Sequence, residues 1–494
     1  MASPTYQLFV GCVVNPTTLT QLDIEPQSIL VVHSPSGTIT DFISSPPNLD
    51  ATVDQLCQRY GGDSQVTVVR LKPDQFLLPG FIDTHIHASQ FANMGLGYDM
   101  PLLDWLSTYT FPEEAKFLDR DYAQRMYRTA VKTLIQHGTT TAVYYGTIFT
   151  DTCCDLVDIV RQNGQRAWVG KVNMDRNSPQ YYVEDTQQSL DETERFIRYV
   201  QDTTPSPLDL ISSTDSATAS VVSDQDDVAS LPLVMPVITP RFVGSCSSKL
   251  MQGLADMAVK YQLPVQSHLS ENLAEVAWVS KLHPECTSYT DVYRTYGLLN
   301  TRTVMAHGVH LEPEEIRILK EHDVGMSHCP NSNFGLCSGI APVRQWLAEA
   351  GLNVGLGTDI SGGSSPSIID AMRQAMVASR ILHMRAEHSQ LPCASDSQDE
   401  SPVLTVNEVL YLATMGGAQV LGWSHRLGNF AVGKVFDALI CDVSDPSFES
   451  PVPVLNPVMG WTKRLEKFVY LGGSQNIASV YVQGRCIHRQ SGST

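Results

Sequence analysis

From Leu77 to Asp359, short apolar runs alternate with helical stretches, and this alternation constrains the fold more than any other feature of the chain. The candidate strands are 77–86, Thr139–Gly146, Arg166–Met174, Leu233–Arg241, Pro264–Ser270, Arg302–His307, Val324–Cys329 and Asn353–Asp359. Helical stretches such as Asp121–Gln136, Thr186–Val200, Ser247–Tyr261 and Pro313–Glu321 lie between them. Strands buried on both faces read as continuous apolar runs, and parallel neighbours need a crossover, usually a helix. Eight strand–helix units of this kind predict an α/β fold, a (β/α)8 barrel of the TIM type.

Outside this block the pattern changes. Residues 5–75 hold β-rich runs, among them Tyr6–Val10 and Ser28–Val32, separated by turn-rich stretches. The β signature returns at Lys434–Cys441 and Ile477–Arg485. Both chain ends are therefore expected to pair into one small β-sandwich beside the barrel. The expected division is 1–76 and 426–494 for the two parts of the sandwich and 77–425 for the barrel. Segments 203–232 and 386–402 are rich in Ser, Asp and Pro and lack any period, so they read as insertions.

Composition narrows the ligand. The 494-residue chain carries a formal charge of -19 and lacks the clustered Lys and Arg that nucleic acid or an anionic membrane requires. No run reaches the roughly 18 apolar residues of a membrane span. The opening MASPTYQLFV has neither the basic nor the apolar region of a secretory signal. Eleven scattered cysteines without a C-x-x-C pair suit reduced thiols and a cytoplasmic protein. A small-molecule ligand is expected.

Active sites in such barrels lie at the C-terminal ends of the strands. The first strand ends in His85-Ile86-His87. Residues two apart on a strand point to the same face, so both imidazoles aim at one spot. Asp83 lies on that face too and is placed to orient a ligand from behind. His268 ends the fifth strand, His307 the sixth and Asp359 the eighth. Each alone reads more simply as a packed or capping residue. Together they offer three or four nitrogen ligands and one carboxylate. With an open position for water this is a catalytic zinc site, and without one a structural cage. Glu271 stands three residues past His268, where it can serve as general base to an activated water without binding the metal.

The segments D-x-H-x-H, H-L-S-E and G-T-D together resemble the amidohydrolase superfamily. Longer runs narrow the resemblance to its guanine deaminase branch: Thr84–Gln90, Pro101–Leu106, Tyr109–Pro112, Thr239–Phe242, Ser267–Asn272, Met305–Gly308, His328–Asn333 and Gly355–Asp359. The resemblance implies hydrolytic deamination of guanine to xanthine and ammonia by a homodimer. It implies one zinc ion per chain on His85, His87, His268 and Asp359, with His307 beside the zinc and the hydroxide. Gln90 and Arg241 would hold the purine, Phe242 would pack on its ring, and His268, Glu271 and Asp359 would complete the substrate contacts. His328 and Asn331 would take supporting positions.

In the implied reaction, zinc-bound hydroxide attacks C2 while Glu271 and Asp359 carry protons. The H-x-E and P-C-x-x-C signature of cytidine-type deaminases is missing. One rival is a hydrolase of the same scaffold acting on a pterin, cytosine or triazine ring. Another is a scaffold protein without activity, which should have lost ligands that this chain keeps. Two-metal members of the superfamily use a bridging lysine. The fourth strand ends in Arg241, while Lys171 lies on the third.

Overall fold

The computed structural model describes residues 5–62, 64–203, 231–300, 302–388, 403–444 and 459–490. Apart from their edges, the expected insertions 203–232 and 386–402 lie outside these residues. Eight parallel strands carry the α/β part: β1 (Phe81–His87), β2 (Thr139–Tyr145), β3 (Arg166–Gly170, resuming at Val172–Asn173), β4 (Val234–Pro236, resuming at Thr239–Pro240), β5 (Val265–Leu269), β6 (Thr303–His307), β7 (Gly325–His328) and β8 (Asn353–Leu356). Every residue of β1 and β2 is buried, although β1 carries Asp83, Thr84, His85 and His87 and β2 opens with three threonines.

Pairing runs β4-β3-β2-β1 in one sheet and β5-β6-β7-β8 in another. The two sheets are hydrogen-bonded at both edges. The Gln266 N–H donates to the Ile238 carbonyl at 2.9 Å, and the Asp359 N–H donates to the His85 carbonyl at 2.9 Å. Helices such as Arg120–Gln136, Thr186–Asp202 and Ser248–Tyr261 connect successive strands and cover the sheets. This is a TIM-like α/β arrangement. Among the described residues, no helix is long and apolar enough to cross a membrane.

The expected strand 77–86 is two strands. Gln75–Pro79 belongs to the flanking sheet, and β1 begins at Phe81. Pro79 has no N–H to continue a ladder. The next two donors go to different places, Gly80 to the Asp437 carbonyl at 3.0 Å and Phe81 to the Gly138 carbonyl at 3.1 Å. The chain therefore passes from one sheet to the other at this dipeptide.

Both chain ends enter one eight-stranded sheet. Its order is Arg485–Arg489, Ile477–Val482, Ala438–Asp442, Gln75–Pro79, Tyr6–Pro16, Leu22–His33 and Thr38–Ser44, with Val66–Arg70 beside Tyr6–Pro16. Leu439 pairs with Leu78 on one side and with Val480 on the other. The end regions are not purely β. Helix Leu49–Arg59 starts at Asn48, whose side chain accepts the Ala51 N–H at 3.0 Å. Its Val53 and Leu56, three apart, pack on Leu8, Val10, Ile29 and Val31. A second helix, Trp461–Leu471, sets Phe468 edge-on to Phe76 at 5.3 Å.

One buried ion pair ties the flanking sheet to the parallel strands. Arg166, at the start of β3, is fully buried and its Nε donates to Asp437 Oδ2 at 3.0 Å. A terminal nitrogen of the same guanidinium donates to the Pro232 carbonyl at 3.1 Å.

Candidate active site

The ends of β1, β5 and β8 bring His85, His87, His268 and Asp359 together. One ligand atom from each lies within 4.8 Å of all the others. His85 Nε2 is 3.1 Å from Asp359 Oδ1, and His87 Nε2 is 3.5 Å from the same oxygen. His268 Nδ1 lies 2.7 Å from the Arg241 carbonyl, which can only accept. That nitrogen therefore carries the proton, and Nε2 is left with its lone pair. It faces His87 Nε2 at 3.1 Å. Both ring nitrogens thus belong to the same four-residue cluster.

Protonation fits the same picture. Burial lowers the pKa of His85, His87 and His268. Burial works against the charge of Asp359, yet His85, His307 and His87 outweigh it and hold the carboxyl well below its usual range. Neutral imidazoles and an ionised carboxylate are the states that metal ligation requires. The buried His87 Nδ1 has no hydrogen-bond partner among the described residues. Three imidazoles and a carboxylate fit a divalent metal ion of the borderline class.

The local backbone explains why these ends converge. A Cβ on Gly357 would lie 2.6 Å from Ser327 Oγ and 2.8 Å from Cys329 Sγ, so glycine lets the end of β8 close on its neighbours. Ser270, His307 and Asp359 have φ of 47°, 73° and 45°. Non-glycine residues there store strain of roughly 1 kcal/mol or more each, which surrounding contacts must hold. Asp83 supplies some of them. It acts from behind the ligands through the backbone. Its Oδ1 accepts the backbone N–H of His85 at 3.2 Å and of Thr358 at 3.1 Å, and its Oδ2 accepts the Thr358 hydroxyl at 2.5 Å. It joins β1 to the segment after β8.

His307 stands beside the four-residue cluster. Its Nε2 lies 3.5 Å from Glu271 Oε2 and 3.7 Å from Asp359 Oδ2, and its Nδ1 is 3.0 Å from Asn333 Oδ1. Burial opposes its charge, but Glu271 and Asp359 outweigh burial and raise its pKa. Glu271 accepts from Ser338 Oγ at 3.2 Å. Burial, against the pull of His307, pushes its carboxyl up to about 7. A carboxyl held near neutrality suits proton transfer at that pH.

Above the cluster opens a cleft walled by His87, Gln90, Leu102, Trp105, Arg241, Phe242, Glu271 and Leu336. It has an apolar wall, a donor-bearing end and the metal-ligand cluster, the mixture expected of a small-ring binding site. A model of the amidohydrolase family matches residues 76–487. The chain belongs to the amidohydrolase family.

Within that family it is similar to guanine deaminases. That of Dictyostelium discoideum is 40% identical over 491 residues, which are 98% of this chain and 99% of the relative. That of Homo sapiens is 37% identical over 487 residues, 98% of this chain and 96% of the relative. Among solved structures, guanine deaminase from C. acetobutylicum with bound guanine has a TM-score of 0.81 at 37% identity and covers 98% of this chain and 100% of its own.

The other residues singled out in the sequence sort by position around this amidohydrolase site. Lys171 is buried, donates to Glu184 at 2.6 Å and to the Val172 carbonyl at 3.1 Å, and stays out of the cluster. His328 and Asn331 do not line the cleft. His328 is buried on β7, and Asn331 donates to Asp370 at 2.8 Å. Phe242 packs against Trp278 with ring centres 5.8 Å apart. Glu114 and Trp278 stand outside every motif of the sequence, and Asn333 enters only as the end of the run His328–Asn333. Glu114 lies just after the Phe111-Pro112 run.

Proposed function

We propose that this amidohydrolase converts guanine and water to xanthine and ammonia. One zinc ion per chain would be held by His85, His87, His268 and Asp359. The observation that carries the reading is that His87, His268 and Asp359 of this cluster, Glu271 and the Gln90–Arg241 donors border a single cleft, with His85 completing the cluster behind its wall. When bound, zinc acidifies a water in its open position.

The remaining chemistry belongs to side chains. Glu271 accepts a proton from the attacking water, delivers it to ring N3 and later helps the C2 amine leave as ammonia. Asp359 shares the proton traffic from the ligand side. His307, set between Glu271 and Asp359, stabilises the negative charge there. Gln90 and Arg241 donate to the C6 carbonyl, and Phe242 packs on the purine face.

We further propose that the eight parallel strands form one closed (β/α)8 barrel and that the mixed sheet forms a β-sandwich. The division is 1–76, 77–425 and 426–494, with the first boundary moved to Gly80. A cytoplasmic homodimer completes the reading, supported by the cysteine pattern and the guanine deaminase likeness.

The test is incubation of purified protein with guanine, with xanthine, ammonia and bound metal all measured. Adenine carries its amine at C6 and only hydrogen at C2. Facing Gln90 and Arg241 it leaves buried donors unpaired, a mismatch that gives discrimination on the order of 10⁴. Equal turnover of adenine and guanine would overturn the guanine reading while leaving a metal hydrolase.

A further inference from the structure

The run Phe111-Pro112-Glu113-Glu114 folds as the short helix Phe111–Ala115 within the β1–β2 crossover. Phe111 and Glu114 are three residues apart and so share a helix face. Both reach Arg241. The guanidinium carbon lies 5.2 Å from the centre of the Phe111 ring. The two terminal nitrogens donate to Glu114 Oε2 at 2.7 Å and Oε1 at 3.1 Å. Glu114 Oε1 also accepts from Gln90 Nε2 at 2.7 Å. One carboxylate thus grips both residues assigned to the base. Glu114 is fully buried, and Gln90 and Arg241 are each 2% exposed.

This arrangement decides two things. A carboxylate only accepts, so Gln90 must turn its amide nitrogen toward Glu114. Its oxygen then faces the Ser361 N–H at 3.3 Å. One Gln90 N–H and the spare Arg241 N–H groups remain for a ligand. The second consequence is charge. A buried guanidinium without a partner would draw an anion, whereas one paired with Glu114 offers donors without net charge. Glu114 is not on the cleft wall itself.

We infer that Glu114 is the positioning residue for base selection: it locks Gln90 and Arg241 into one neutral donor array matched to a ring carbonyl. The inference rests on the guanine reading of the cleft and deepens it. Purines with a C6 carbonyl are favoured through Glu114, and purines lacking it gain nothing from the same carboxylate.

The probe is 2-aminopurine, which keeps the C2 amine and lacks the C6 carbonyl. Glu114→Gln removes the charge at nearly constant shape. Its KM for guanine should rise about tenfold or more, while kcat/KM for 2-aminopurine stays within about threefold and metal content matches wild type. The guanine-to-2-aminopurine ratio of kcat/KM therefore falls. Glu114→Asp keeps the charge and should recover part of the guanine preference. A variant that loses both activities by one common factor, or sheds its metal, shows a merely structural role and overturns the inference. If Glu114→Gln does not fold, Glu114→Asp decides. Its shorter carboxylate cannot hold both partners, so the ratio should drop a few-fold, and an unchanged ratio overturns the inference. Wild-type protein that makes no xanthine would instead refute the guanine reading. An active wild type with unshifted variants refutes only the role of Glu114.

Discussion

Two buried carboxyls a short distance apart have opposite fates. Asp359 is surrounded by imidazoles and stays ionised, while Glu271 is buried with one imidazole at 3.5 Å and is pushed up to about 7. The first suits a ligand and the second a proton carrier. Glu271→Gln should keep the metal and lower turnover by about 10²-fold or more. Turnover within a few-fold of wild type would move proton carriage elsewhere. His268→Ala leaves three ligands and should lose most of the metal on elemental analysis. Full retention would contradict a four-ligand set. The ligands were legible because strand geometry makes a spacing of two informative and because they sit at strand ends. Glu114 was not legible. Its partners Gln90 and Arg241 are 24 and 127 residues away, so its place after the Phe111-Pro112 run does not tell what it grips. Asp83 was legible as a support behind the ligands, but alternation predicts a face and not which backbone N–H groups the carboxylate meets.

At the scale of elements, the junction of β1 with the segment after β8 holds the two ends of the ligand set in register. Asp83→Ala strips acceptors from two buried N–H groups and one hydroxyl. It should cost about 2–4 kcal/mol in urea unfolding and weaken metal retention as Asp359 drifts from His85. A loss under about 0.5 kcal/mol would show the junction is held otherwise. The parallel strands were readable because short segments centred on apolar and β-branched residues alternate with helical stretches. At Pro79-Gly80 the residue types mark a turn, but not the change of sheet, because the two strands that flank it differ in their partners and not in any local pattern. Helices Leu49–Arg59 and Trp461–Leu471 were overlooked for a related reason: each lies among β-rich runs and carries only a narrow buried stripe.

Across the whole molecule, the return of β-rich sequence near residue 434 correctly joined the two chain ends. Strand order escaped the sequence, because it depends on contacts hundreds of residues apart. The joint between the parts is Arg166 with Asp437. Arg166→Ala leaves Asp437 with little compensation for burial and should cost about 3–5 kcal/mol, read as a lower urea midpoint with metal content unchanged. A shift under about 1 kcal/mol would assign the joint to apolar packing. The strand Gln75–Pro79 has a further consequence, one of timing. It pairs with Tyr6–Pro16 on one side and with Ala438–Asp442 on the other. During synthesis its second neighbour does not exist until residue 438 has left the ribosome. Throughout that interval Phe76, Leu77 and Leu78 border an open β edge, the kind of surface on which nascent chains stick to one another. A ribosome halted before residue 438 should therefore release a product that aggregates, even though every proposed metal ligand has already been made.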